Sequence, residues 1–194
     1  MHLKKLLLTL LAVVTILAGC GGGFERQTDW EVESFSATTH RGETLALEDL
    51  QGTVWLSAFI FTNCATICPP MTANLTDIQE AVEEQGVENY KIVAFSVDPE
   101  VDSPEVLTDY LSMYELADES KWELLTGYDQ AFISQLAKNS FKALVQNDAN
   151  SDQVIHGSSF YLVDQEGIVV KSYSGVSDVP VDEIAQDMKA LSEE

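Results

Sequence analysis

The chain has 194 residues, is 45% hydrophobic, and sets 10 Lys and Arg against 32 Asp and Glu, for a formal net charge of −22 at pH 7. That length and apolar content suit one domain with an ordinary core. The acidity excludes nucleic acid as a partner, since phosphate binding needs the opposite sign, and it is repelled by anionic lipid headgroups.

The first segment reads as an address rather than as fold. MHLKK supplies a basic start, and residues 6–18 form an apolar run of 13 residues. A membrane-spanning helix needs ~20, so the run has the length and flanks of a signal-peptide core. Leu17-Ala18-Gly19-Cys20 follows and resembles a bacterial lipoprotein signal. The expected division is a signal peptide over 1–19, a lipidated Cys20 with a flexible tether over 20–29, and a domain over 30–194. Ordinary cleavage is the alternative, but it leaves a free thiol exposed on a secreted chain. Gly21, Gly22 and Gly23 suit a tether. Without Lys4 and Lys5 the chain keeps 8 basic against 32 acidic residues, a charge of −24. The expected location is the outer side of a bacterial cell membrane, held by lipid.

Residues 30–50 read as a small N-terminal hairpin. TVWLSAFIF (53–61) is a continuous apolar run and predicts a buried strand. Two cysteines follow in FTNCATICPPMTANL. Pro69 and Pro70 fit a first helical turn, and Met71, Leu75, Ile78 and Val82 recur at helical spacing, so a helix is expected over about 70–84, closed by Gly86. KIVAFSVD (91–98) predicts a second buried strand. Ser103, Pro104 and Glu105 open another helix, with Leu107, Tyr110, Leu111 and Tyr114 inward. KWELLTG (121–127) reads as a strand, and Phe132, Ile133, Leu136 and Ala137 mark a helix. SSFYLVD (158–164) and GIVVKSY (167–173) read as paired strands. Pro180 opens a last helix carrying Val181, Ile184, Met188 and Leu191. The pattern predicts an α/β sandwich with a mixed central sheet flanked by helices. Two cysteines at the junction of the first core strand and helix place it in the thioredoxin-like group.

Cys64 and Cys68 could bridge the loop, exchange electrons with other thiols or bind a metal. A structural disulfide here closes only a very short loop and gains little from it. Cys68 precedes a proline, which biases it toward the turn ahead of the helix, and a helix N-terminus favours thiolates at both positions. Thioredoxin-type reductases use Cys-x-x-Cys. Cys-Ala-Thr-Ile-Cys is one residue longer, which opens space for two sulfurs on one ion, and thiolates favour Cu(I) and also Zn(II). A third ligand is then expected. In a thioredoxin-like fold the loop before the strand at 158 faces the cysteines, and His156 stands there, where reductases of this fold carry a proline. His40 reads as an ordinary structural histidine. Asp98, at the end of the second core strand, is expected either to orient His156 as an outer partner or to shape a turn. Asp102 reads as an accessory helix cap, and Met71 as core.

FIFTNCATICPPMT (59–72), FSVDPEVDSPEVL (95–107), WELLTG (122–127) and HGSSFYLVDQEG (156–167) together resemble the Sco/SenC family of copper proteins that serve cytochrome c oxidase assembly. The resemblance spans about residues 30–190. It implies one copper ion per chain, Cu(I) or Cu(II), held by Cys64, Cys68 and His156. It implies the copper-bearing subunit of the oxidase as partner, with other copper chaperones or thiol reductases as further partners. Two roles are open: a metallochaperone for the binuclear copper centre, or an enzyme, a thiol-disulfide oxidoreductase, that keeps the oxidase's copper-ligand cysteines reduced through Cys64 and Cys68. The longer loop and the missing proline favour the first. A peroxidase of the peroxiredoxin kind needs a cation beside the thiol, and Arg26 and Arg41 are both far from the cysteines in sequence.

Overall fold

The computed structural model describes residues 24–194. The expected signal peptide, Cys20 and Gly21 to Gly23 lie outside the described residues. The elements run in the order β1 (Trp30–Glu31), β2 (Ser36–Thr39), β3 (Thr44–Ala46), β4 (Val54–Ile60), α1 (Cys68–Glu84), β5 (Tyr90–Ser96), α2 (Pro104–Leu111), β6 (Trp122–Thr126), α3 (Gln130–Ser140), β7 (Val145–Asn147), β8 (Val154–His156), β9 (Ser159–Val163), β10 (Ile168–Ser174) and α4 (Val181–Ser192).

Eight strands form one mixed sheet in the order β1-β10-β9-β4-β5-β6-β2-β3. β4, β5 and β6 are parallel, as strand-helix-strand connections require. β9 runs antiparallel to β4 and β10 antiparallel to β9. β4 is buried at every position, which explains why its sequence shows no alternation. Phe59 and Phe95 stack across the β4–β5 pair, and Phe141 and Tyr161 close an aromatic cluster around Phe59. α1 and α4 pack against each other beside this sheet. The expected α/β sandwich with a mixed sheet flanked by helices is the architecture found.

Three elements depart from the expectation. The hairpin predicted over 30–50 is only β2 and β3; it joins the sheet through β2 and β6. Trp30 and Glu31 instead pair with β10 at the opposite edge, because the chain crosses between edges over residues 32–35. The helix expected from about 70 starts at Cys68. Finally, β7 and β8 form a separate two-stranded ribbon where a loop was expected before β9.

The ends of β4, β5 and β9 meet at one end of the sheet. The Val97 amide donates to the Ile60 carbonyl at 2.8 Å, continuing the β4–β5 ladder into the loops beyond it. Gly175 follows β10 there and donates to the Ser158 carbonyl at 2.7 Å. A Cβ on Gly175 would stand 2.5 Å from that oxygen, so only glycine permits this closeness. The contact fixes Ser158, two residues after His156.

Candidate metal centre

Cys64, Cys68 and His156 converge at this end of the sheet. One donor atom from each lies within 4.8 Å of the other two. Both cysteines are free thiols, with Cys64 7% exposed and Cys68 fully buried.

The Cys-Pro-Pro sequence explains the local geometry. A helix leaves its first N–H groups unpaired. Pro69 and Pro70 have none, and the Met71 amide already donates to the Ile67 carbonyl at 3.0 Å. The Cys68 amide is left, and it donates to Cys64 Sγ at 3.4 Å. Ile67 offers no side-chain cap, so the Cys64 sulfur caps the helix. This bond and the Ile67 carbonyl draw Cys68 into the helix, against the bias imposed by the proline after it. The Cys64 sulfur also lies 3.9 Å from the Thr66 hydroxyl.

The two thiols are driven apart in acidity. Burial alone pushes the Cys64 thiol up, but hydrogen bonds from the Cys68 thiol and from the amides of Cys68, Thr66 and Ile67 hold it below its ordinary value. Burial pushes the Cys68 thiol well up, and its bond to Cys64 adds to the effect. Cys64 is therefore the more acidic of the two thiols and Cys68 the one held protonated.

His156 ends β8, opposite Val145. Its Nδ1 lies 2.9 Å from the Gly157 carbonyl. A carbonyl only accepts, so Nδ1 carries the proton and Nε2 keeps a free lone pair. That Nε2 lies 3.4 Å from Cys68 Sγ. Burial holds the imidazole below its ordinary value, so it is neutral at pH 7 and able to ligate. Phe61 packs edge-on against the ring, with centroids 5.6 Å apart.

Asp98 does not hold His156; the Gly157 carbonyl does. Among the described residues no hydrogen bond reaches the Asp98 carboxylate, and its amide donates to the Ser96 hydroxyl at 3.1 Å. Asp102 is not a helix cap either. Ser103 caps α2 by accepting from the Val106 amide at 3.4 Å, while Asp102 is buried and turned back toward Thr62 and Ser96. Met71 is buried core. His40 is structural: its Nδ1 accepts from the Leu124 amide at 3.3 Å, and burial lowers its pKa to about 4. Arg26 pairs with Asp164, and Arg41 with Glu123. Neither arginine takes part in the site, which leaves the peroxidase reading without its cation.

Sequence reasoning missed the clasp that holds the β7–β8 ribbon over the cysteines. Asn63 Nδ2 donates to Asp152 at 3.1 Å, and Gln153 Nε2 donates to the Asn63 carbonyl at 3.2 Å. The signal was available in Asn147-Asp148-Ala149-Asn150-Ser151-Asp152, a run of turn formers between two short branched-residue segments.

Two sulfurs and one imidazole within reach of a single point are a donor set for one soft or borderline ion, and they suit one copper ion. Fold and site together define a thioredoxin-like protein with a dithiol and imidazole centre in place of an ordinary redox disulfide. The chain belongs to the SCO1/SenC family, whose model matches residues 25–193. It is 45% identical to the SCO1 protein homolog of Bacillus subtilis over 186 residues, covering 95% of each chain. A SCO1/SenC family lipoprotein from Bacillus anthracis superposes with a TM-score of 0.82 at 44% identity, over 87% of this chain and 99% of that one. BsSco, described with a disulfide switch and as a member of the Sco family of cytochrome c oxidase assembly proteins, superposes with a TM-score of 0.79 at 46% identity, over 87% and 97% of the two chains.

Proposed function

We propose that the protein is a membrane-anchored, extracytoplasmic copper chaperone for assembly of the binuclear copper centre of cytochrome c oxidase. The observation that carries this is the convergence of Cys64, Cys68 and His156 in a member of the Sco family. Copper is the cargo. Cys64 and Cys68 would hold it as thiolates, and His156 Nε2 would complete the set. Two thiolates suit Cu(I); the imidazole extends the site to Cu(II), which accepts nitrogen ligands. Oxidation of the thiols to a disulfide would remove both sulfur ligands, so cargo binding and thiol redox state are coupled. The copper-bearing oxidase subunit is the recipient, and other copper chaperones or thiol reductases would supply copper or electrons. The lipoprotein relative from B. anthracis supports a lipid anchor at Cys20.

The divergence in thiol acidity favours a second reading, a thiol-disulfide oxidoreductase. There the Cys64 thiolate attacks a substrate disulfide and forms a mixed disulfide. Cys68 then gives up its proton and attacks Cys64 Sγ, closing the Cys64–Cys68 disulfide and releasing the substrate as a dithiol. This route does not use the imidazole stoichiometrically.

His156→Ala separates the two. The variant is expected to weaken Cu(II) binding strongly and Cu(I) binding less, while both cysteines still cycle between dithiol and disulfide. In cells lacking the native protein it should fail to restore oxidase activity at low copper, with partial rescue by added copper. Full restoration at low copper would overturn the chaperone reading and favour the reductase.

A further inference from the structure

The three ligands are not held alike. Cys64 and Cys68 are tied to each other, since the Cys68 amide donates to Cys64 Sγ at the start of α1. His156 ends β8, which pairs with β7 alone among the described residues, and this ribbon stands apart from the eight-stranded sheet. Ahead of His156, the ribbon is tied to the cysteine loop by the bonds of Asn63 with Asp152 and Gln153, and both bonds are exposed. Water competes for such bonds, so their net contribution is small. The firmer hold lies on the other side of the histidine.

There the ring is oriented by the Gly157 carbonyl. That carbonyl belongs to the peptide bond joining Gly157 to Ser158. The peptide group is planar, so the direction of the carbonyl follows the position of Ser158. Ser158 is fixed in turn by its own carbonyl, which accepts from the Gly175 amide at 2.7 Å. Gly175 is held by a side chain: Asn74 Nδ2 donates to the Gly175 carbonyl at 2.9 Å, in a partly buried bond between residues 101 apart in the chain. Asn74 lies on α1, the helix that opens with Cys68. The helix that presents the Cys68 sulfur thus also holds, through Gly175 and Ser158, the peptide that aims the imidazole. At the end of this path His156 Nε2 stands 3.4 Å from Cys68 Sγ.

We infer that Asn74 is a positioning residue of the metal centre: its side-chain amide ties α1 to the loop after β10 and thereby sets the imidazole of His156 against the two sulfurs. This rests on the copper reading above. Asn74 touches no ligand atom and acts only through Gly175 and Ser158. The sulfurs do not depend on it, because the Cys64 cap on α1 is made within the cysteine loop. Loss of the amide therefore loosens one ligand of three. Two thiolates alone suit Cu(I), whereas Cu(II) relies on the imidazole. The ratio of the two affinities reports the tie.

The test uses the mature protein and competition with chelators for each copper oxidation state. Asn74→Ala replaces a half-buried side chain inside a helix with the strongest helix former, so the fold is retained. It should lower the Cu(II) to Cu(I) affinity ratio about tenfold, the lower end of what loss of an outer partner costs a metal centre. In the copper-free protein, imidazole nitrogen-15 shifts should show the Nδ1–H form alone in the wild type and an admixture of the Nε2–H form in Asn74→Ala. Gln79→Ala is the control. Gln79 is fully buried on the same helix and bonds to Trp122 and the Asp118 carbonyl instead. Its loss should lower stability and leave both the ratio and the tautomer at their wild-type values. A wild-type ratio in Asn74→Ala would make its bond structural only and overturn the inference, as would an equal fall of the ratio in Gln79→Ala. Failure of the wild-type protein to bind copper at all would instead overturn the copper reading, and the tautomer in the copper-free protein then decides the tie by itself: a single Nδ1–H form in Asn74→Ala overturns it.

Discussion

Replacing Cys64 or Cys68 by alanine is expected to abolish copper binding at the level seen in the unaltered protein, and with it the thiolate-to-copper charge-transfer band of the Cu(II) form. Each sulfur supplies one of two thiolates, and a single thiolate with an imidazole is a different site. The expected loss of affinity exceeds the ~10–100-fold that removal of an outer partner costs in metal centres. The two variants should differ in stability. Cys64 Sγ is the acceptor for the Cys68 amide, the one N–H that Pro69 and Pro70 leave unpaired in the first turn of α1. Cys64→Ala orphans that buried donor, at a cost of ~1–3 kcal/mol. Cys68→Ala keeps the amide and its acceptor, and loses instead the volume of a fully buried sulfur. Copper titration of each variant, with urea unfolding of the apo forms, checks both statements. Retention of full copper affinity and spectrum by either one would show that the ligands are wrongly assigned.

Cys20→Ala is expected to release the protein from membranes or to leave it unprocessed. No helix among the described residues is long and apolar enough to cross a bilayer. The surface cannot take over the attachment, because 32 acidic residues against 10 basic ones repel an anionic leaflet. Attachment therefore falls to the lipid, and acyl chains hold a protein in proportion to their buried methylene groups. Growth with a labelled fatty acid, followed by fractionation, reads both arms. Label should follow the wild-type chain into the membrane and be absent from the variant. An unlabelled wild-type chain would remove the anchor from the account.

The parts of this fold that the sequence revealed are those where one physical cause dominates. β4 is read from its uninterrupted apolar run because both of its faces are covered. α2 is read from Ser103 and Pro104 because a cap and a first-turn proline act locally. Cys64, Cys68 and His156 were legible because the cysteines mark a strand-helix junction and the topology returns β9 beside β4. What stayed hidden depends on contacts between distant residues. The β7–β8 ribbon is three residues per strand, too short for periodicity to register. Asp102 was misread because its local signal, an acidic residue beside a helix start, is that of a cap; its actual partners, Thr62 and Ser96, lie on other elements. Asp98 reads from its place at the end of β5 either as a partner of His156 or as a turn former; the ring is oriented by its own neighbour, Gly157, while the Asp98 carbonyl accepts from the amides of Val101 and Asp102 in a turn. Cys68 entered the helix because a sulfur four residues earlier accepts its amide, an interaction that propensity does not count.

The central claim is that Cys64, Cys68 and His156 hold one copper ion together. X-ray absorption at the copper edge, on protein loaded with one equivalent of Cu(II) or Cu(I), tests it most directly, because scattering distinguishes sulfur from nitrogen neighbours. Two sulfur neighbours are expected in both oxidation states, with an imidazole nitrogen in the Cu(II) form that disappears in His156→Ala. A Cu(II) site with one sulfur or none, or an imidazole signal that survives His156→Ala, would contradict the claim.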